Sequence, residues 1–361
     1  MAVSTANAPR AISPARKLAD LFAPIRPDLA RVEEALIEQA HSFDPRIGEY
    51  VRHALSGKGK RLRPALALLA GGATGRIEEN HLDLAVIIEL IHVATLIHDD
   101  VLDEAQLRHG RPTANAHWGN EITVLLGDCL FANALRLAAT HLPADACRKL
   151  SETTTMVCSG EILQTQKRFD LEMTVEQYLD VIHMKTGSLF GLSCELGAHL
   201  NAAPPPPVKT MREFGVNFGM AYQIYDDCVD IFGQEREAGK SLGTDMEKGK
   251  LTLPWLLLLQ HIGAEQHDVI AELLFHGSLQ ERMRLLALAA GNGVVRESHA
   301  MIQQFLARAE ENLARVPAND FTRSMSALAG HFAEQSCALL APQSRGWPHR
   351  PNGDEGACAW R

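Results

Sequence analysis

The stretch LAVIIELIHVATLIHDDVLDEAQ, residues 84–106, decides the fold. It is apolar nearly all round at helical spacing, which marks a helix buried inside a protein rather than one lying on its surface. Yet it carries a polar stripe. His92, Asp99 and Asp103 are separated by steps of seven and four residues, which return to within about 20–40° of the starting direction at 3.6 residues per turn. Burying charge without a partner is too costly, so the stripe should line a cavity. We therefore expect a helix over 78–106 at the centre of an all-α fold. The apolar run 84–97 is broken by Glu89 and His92, so no run reaches the roughly 20 residues that a bilayer requires.

Outward from that helix, strand signals are nearly absent. Apolar residues recur at three- and four-residue spacing between short breaks: GGATGR at 71–76, AAPPPP at 202–207 and a polar loop over 233–250. This pattern predicts about ten helices around one core, with no internal repeat. Residues 18–342 form the expected domain, 1–17 a flexible N-terminus and 343–361 a disordered tail rich in Pro, Gly and charge. The composition, 46% hydrophobic and 22% charged, is that of an ordinary globular protein. A net charge of −9 argues against a nucleic-acid partner. Seven scattered cysteines without a CxxC pair, and a start without the apolar core of a signal peptide, predict a cytoplasmic protein with reduced thiols and no transmembrane segment.

Two motifs carry the chemistry. DDVLD holds Asp99, Asp100 and Asp103; DDCVD holds Asp226, Asp227 and Asp230 after the apolar run FGMAYQIY. Three carboxylates within about one helical turn repel one another, and a hard divalent cation offsets that repulsion. Mg²⁺ favours sites made of a few carboxylates plus substrate phosphates. One such motif alone reads more readily as a solvated acidic helix end; two copies on two buried helices do not. Cations stand where an anionic ligand needs them. Lys58, Lys60, Arg61 and Arg63 precede Pro64, which suits the first position of a helix and so places the cluster at an anion-attracting N-terminus. Lys58 and Arg61 taken singly fit a solvated loop. Arg108 follows the first motif, Lys240 and Lys250 follow the second in a Gly-rich loop able to close as a lid, and KTG with Lys185 and Thr186 interrupts another helix.

These segments, GKGKRLRPALALLA, ELIHVATLIHDDVLDEAQLRHGRPTAN, GEILQ, KTGSLF and GMAYQIYDDCVDIFG…GKSLGTDMEKGKLTLP, resemble the ordered motif set of the trans-polyprenyl diphosphate synthases over nearly the whole chain. The resemblance implies a single-domain isoprenoid-synthase helical bundle with a deep central cavity, a homodimer, and Mg²⁺-dependent condensation of isopentenyl diphosphate with an allylic prenyl diphosphate. It implies Mg²⁺-facing roles for Asp99, Asp100, Asp103, Asp226, Asp227 and Asp230. Arg108, Lys185, Thr186, Gln223 and Lys240 match positions that contact the allylic diphosphate, and Lys250 is expected beside them. Lys60, Arg63 and His92 match positions that hold isopentenyl diphosphate. Of all these, the resemblance places Asp99, Asp100, Asp103, Asp226, Asp227, Lys185 and Lys240 nearest the reaction.

One position departs from the family pattern. His109 stands where a second Arg is usual. An imidazole is only partly charged near neutral pH and lacks the guanidinium fork that matches phosphate oxygens, so we expect weaker or more pH-dependent use of isopentenyl diphosphate, with Arg111 as a partial substitute. For product length, Ala94 and Thr95 lie one turn before Asp99. The absence of aromatics there resembles the long-chain members that make quinone side chains. The channel floor is expected on other helices, including that of Leu125, Cys129 and Ala132, with Phe131 able to stop elongation early. The alternatives are a farnesyl or geranylgeranyl diphosphate synthase, or a regulatory subunit of a heteromeric synthase. A terpene cyclase is disfavoured by the second DDxxD motif.

Overall fold

The computed structural model describes residues 18–57, 59–108, 110–233 and 243–340. The expectations for Lys58, His109, Lys240 and both chain ends lie outside the described residues. Fourteen helices of eight or more residues are present among those described. In chain order they are α1 (Arg26–Glu38), α2 (Gly48–Leu55), α3 (Leu62–Thr74), α4 (Glu79–Leu102), α5 (Asn120–His141), α6 (Ala144–Gln166) and α7 (Val175–Ile182). They continue as α8 (Ser188–His199), α9 (Pro205–Phe232), α10 (Leu253–His261), α11 (His267–His276), α12 (Leu279–Gly291), α13 (Val294–Leu313) and α14 (Asp320–Ala338). The fold is all-α. Among the described residues the extended structure is one two-residue ladder, in which Leu107 pairs Pro112 and Arg108 pairs Arg111.

The buried helix is where the pattern put it, but shorter. It stops at Leu102 because Glu104 adopts a left-handed backbone, φ 48°. At its other end His81 is held between two backbone groups. Its Nδ1 accepts from the Glu78 amide at 3.2 Å, so its Nε2 is the protonated nitrogen, 3.1 Å from the Gly197 carbonyl oxygen. Helix α4 packs on α3 and α5, α3 on α8, and α8 on α9, so the two Asp-bearing helices sit in one row. The row is tight because glycine lets backbones touch. A Cβ on Gly215 would lie 2.4 Å from the Phe190 carbonyl oxygen, and one on Gly197 only 2.2 Å from that of Ala67. The core between α8, α9 and α14 is aromatic: Phe190, Phe214 and Phe218 are fully buried, and Phe218 meets Phe332 edge-on at 5.6 Å. Each such Phe contributes about 1.5–3 kcal/mol by leaving water.

Four expectations change. The break read at 71–76 falls only at its end, because α3 runs to Thr74. Gly71 and Gly72 stay helical and make room for His81 and Phe321, whose rings a Cβ would meet at 2.5 and 2.4 Å. Pro64 is the third residue of α3 rather than the first, still within the turn whose N–H groups have no helical partner. On α5, the helix expected to carry part of a channel floor, the face turned into the fold includes Thr123, Leu126, Leu130, Ala134 and Leu137, while Leu125 and Ala132 are exposed and Cys129 is half-buried. Finally, the described helix closest to membrane-spanning character is α5, not the run 84–97; its best window has mean hydropathy 1.5 and is 44% buried, and α5 packs along α4.

Candidate active site

The first Asp motif ends α4 and the second ends α9. The segment HMKTG between α7 and α8 is a single π-helical turn, His183–Gly187, closed by the Ser188 amide donating to the His183 carbonyl. Such turns bulge a helix and re-aim its side chains. Here the turn serves both motifs at once. Lys185 Nζ lies 3.4 Å from Asp99 Oδ2, contacts Glu161 and donates to Gln164 Oε1 at 3.0 Å. The next residue, Thr186, donates to Gln223 Oε1 at 2.8 Å, and Gln223 Nε2 donates to Asp227 Oδ1 at 2.8 Å. One chain of polar contacts therefore runs from Asp99 to Asp227. Gly160 makes it possible, since a Cβ there would lie 2.8 Å from the Lys185 nitrogen and hold α6 off the turn.

Each carboxylate of the first motif meets a cation. Arg108 donates to Asp100 Oδ1 through Nε at 2.9 Å and Nη2 at 2.7 Å. Asp103 accepts from Arg168 Nη2 at 2.9 Å and from Lys250 Nζ at 2.6 Å. Lys248 reaches Glu104 at 3.3 Å, so the segment after the second motif is fastened to the end of the first. Burial pushes the Asp100 carboxyl above its usual range and Arg108 works against that push. Burial alone would lower Lys185, but Asp99 and Glu161 outweigh it and hold the ammonium charged.

The second motif has a different surrounding. Asp227 is buried and accepts from Tyr178 Oη at 2.6 Å, as well as from Gln223. Its carboxyl is raised well above the usual carboxylate range, by burial first and then by the charge of Asp245. Asp230 is buried and Asp226 half-buried on the same helix. Asp245 in turn lies 3.7 Å from Lys250, which links the second motif back to Asp103.

A separate cationic cluster is built from Lys60, Arg63 and His92. Arg63 Nη1 is 3.0 Å from His92 Nε2, and its guanidinium stacks 4.2 Å from the Phe190 ring centroid. Burial, then the charge of Arg63, keeps His92 well below the ordinary imidazole range, so it is neutral and accepts this bond. Lys60 sits over the rings of Tyr222 and Phe332, at 5.4 and 5.7 Å. Arg111 does not join the cluster but donates to Ser56 Oγ at 3.0 Å, at the start of the basic loop. Arg61 is not solvated. It is buried and ion-paired with Glu33 and Glu89. Deeper on α4, Ala94 is fully buried and Thr95 Oγ1 caps the His92 carbonyl at 2.7 Å. Phe131 is half-buried against His98, ring centroids 5.9 Å apart.

The sequence named Asp99, Lys185, Thr186, Gln223 and Asp227 as site residues, and the structure joins them in one chain; it named Arg63 and His92 as well, and the structure puts them in contact. Sequence reasoning passed over Glu161, Gln164, Arg168, Tyr178 and Asp245. Only Glu161, Gln164 and Asp245 stood within segments already marked by the resemblance.

Comparison with known proteins identifies the family. A profile described as polyprenyl synthetase matches residues 44–286. The all-trans-nonaprenyl-diphosphate synthase (geranyl-diphosphate specific) of Rhodobacter capsulatus is 35% identical over 307 residues, covering 85% of this chain and 94% of its own. Heptaprenyl diphosphate synthase component 2 of Geobacillus stearothermophilus is 36% identical over 304 residues, covering 84% and 94%. The crystal structure of a polyprenyl synthase from Caulobacter crescentus CB15, complexed with calcium and isoprenyl diphosphate, matches with a TM-score of 0.83 at 31% identity over 89% of this chain and 98% of its own. The chain belongs to the polyprenyl synthetase family.

Proposed function

We propose that this chain is a trans-prenyltransferase that joins isopentenyl diphosphate to an allylic prenyl diphosphate and makes a long-chain polyprenyl diphosphate. The observation that carries the reading is the chain Asp99–Lys185–Thr186–Gln223–Asp227, which ties two acidic motifs together, with a second, separate cationic cluster at Lys60, Arg63 and His92. One diphosphate fits between the motifs and another at Lys60, Arg63 and His92.

The residues suit a hard divalent cation. The donors are all carboxylate oxygens, and Asp227 is pushed up by burial and by its acidic neighbours Asp245 and Asp226, a strain that a cation relieves. Mg²⁺ commonly shares its shell between a few carboxylates and substrate phosphates, which is how these carboxylates would use it. Asp99, Asp100, Asp103, Asp226, Asp227 and Asp230 would hold Mg²⁺, which supplies charge neutralisation for the departing diphosphate.

The protein's own part follows from geometry. Lys185 and Arg108 present positive charge where the allylic C–O bond breaks and its electron pair passes to the diphosphate. Gln223, fixed by Thr186, and Tyr178 orient Asp227. Arg63 and Lys60 hold the second diphosphate so that the isopentenyl double bond attacks the allylic carbon. The proton then leaves to the released diphosphate, and no protein nucleophile is needed. The growing tail would pass Ala94 and Thr95, whose side chains are too small to block it. The enzyme acts in the cytoplasm as a homodimer.

The relative named heptaprenyl diphosphate synthase component 2 favours one second reading, in which the chain works beside a different subunit. Labelled isopentenyl diphosphate, incubated with the purified chain alone, Mg²⁺ and geranyl, farnesyl or geranylgeranyl diphosphate, separates the two. Label should pass into solvent-extractable product. No incorporation with any primer would contradict the reading for the chain on its own.

A further inference from the structure

Arg61 sits in the basic loop yet points away from both diphosphate sites. Its backbone is left-handed, φ 49° and ψ 36°, and it caps α3 without a side-chain bond to that helix. A non-glycine residue persists in this conformation only where its surroundings fix it. Here the guanidinium is clamped on three sides. Nε donates to Glu33 Oε1 at 2.7 Å and Nη2 to Glu33 Oε2 at 3.2 Å. Nη2 also donates to the Gly57 carbonyl at 2.9 Å, and Nη1 to Glu89 Oε1 at 2.6 Å. The Arg61 side chain is 9% exposed and that of Glu89 5%, whereas that of Glu33 is 41% exposed. The planar fork of arginine suits such a multi-point clamp and lysine does not.

The partners matter as much as the clamp. Glu89 stands on α4, three residues before His92 and ten before Asp99. The loop is thus bolted to the helix that carries the first Asp motif. The left-handed turn at Arg61 also separates its neighbours: Lys60 goes to Tyr222 and Phe332, and Arg63 goes to His92 and Phe190.

We infer that Arg61 is a positioning residue, whose clamp by Glu33 and Glu89 sets the isopentenyl diphosphate pocket at a fixed distance from the first Asp motif. The inference rests on the proposed function for the identity of the ligand. The alternative is that the clamp only ties α1 to α4 and matters for stability alone.

Two variants separate these. Arg61→Gln/Glu89→Gln removes the buried charges together, which spares the fold an unpaired ion. Glu33→Gln loosens the clamp from its half-exposed side and serves if the double variant does not fold. Binding of isopentenyl diphosphate and, separately, of farnesyl diphosphate with Mg²⁺ is measured by calorimetry, beside a thermal melt. The double variant should lose tenfold or more in isopentenyl diphosphate affinity, and Glu33→Gln about threefold, with farnesyl diphosphate affinity within twofold of the parent. Parallel loss of both affinities, or a lower melting temperature with neither affinity changed, would overturn the inference. Parent protein that binds isopentenyl diphosphate without turning it over would sink the enzymatic reading, and the affinity ratio would still decide the role of Arg61. Parent protein that binds none would overturn both.

Discussion

The two Asp motifs share a spacing and little else. At the end of α4, Asp100 and Asp103 accept from Arg108, Arg168 and Lys250, so the charge is answered by charge. At the end of α9, Asp227 accepts from a phenol and an amide, and its carboxyl is pushed up by burial and by Asp245. The spacing DDxxD therefore fixes where carboxylates stand and not what they experience. The first motif is braced without a ligand. Asp227 is held by neutral donors under electrostatic strain, which gives it more to gain from a cation.

The sharpest way to break this contrast is a matched pair of substitutions. Asp103→Asn and Asp227→Asn should each lower kcat by about 10²–10³-fold, the size expected when one preorganised electrostatic element is lost. Their stabilities should diverge. In metal-free urea melts Asp103→Asn should lose about 1.5–3 kcal/mol, since one charge-assisted bond goes and the other loses its anionic acceptor. Asp227→Asn should lose less than about 1 kcal/mol or gain, because it removes a buried charge and keeps a hydrogen-bond acceptor. Equal losses in both would end the comparison.

Metal titration sharpens it next. Mg²⁺ with inorganic pyrophosphate should stabilise the parent by about 2.7 kcal/mol at hundredfold saturation, and a chelator should abolish the gain. The Asp227→Asn variant should show much less of it; an undiminished gain would place the second motif outside the site. Tyr178→Phe is a milder probe of the neutral donors. It should cost about 1 kcal/mol of stability, as for a single hydrogen bond, and slow turnover by up to about tenfold, whereas an unchanged enzyme would show that Gln223 alone orients Asp227.

The smallest effect concerns pH. His92 is held well below the ordinary imidazole range and stays neutral from pH 6 to 8. His92 then contributes no titration of isopentenyl diphosphate affinity in that window, and beside the diphosphate's own last ionisation the sequence points to His109. A protonated His109 attracts the anion, so the KM for isopentenyl diphosphate should rise about threefold from pH 6 to 8 and flatten in His109→Arg. A parent KM that is flat over this range would remove His109 from the account.

Much of this was legible in the chain. The all-apolar run with its polar stripe marked the buried helix, and its step of seven and four residues picked out His92, Asp99 and Asp103 on one face. The KTG interruption was visible, though only the backbone reveals a π turn. Contacts between remote segments were not legible. Arg168 and Lys250 lie 65 and 147 residues from the Asp103 they meet, and no local pattern pairs them. Tyr178 was hidden because a Tyr on an amphipathic helix reads as core. For Arg61 a solvated loop stayed open, because a left-handed turn at a non-glycine residue leaves no sequence signal. The buried face of α5 was readable, since Thr123, Leu126, Leu130, Ala134 and Leu137 recur at three- and four-residue steps. Leu125 and Ala132 lie off that stripe.

The most direct test of the whole account is the length of the product. The purified chain, given Mg²⁺, labelled isopentenyl diphosphate and farnesyl diphosphate as primer, should yield polyprenyl diphosphates longer than geranylgeranyl, resolved by chromatography after removal of the phosphates. A product that stops at geranylgeranyl, or label that never leaves isopentenyl diphosphate, would contradict it.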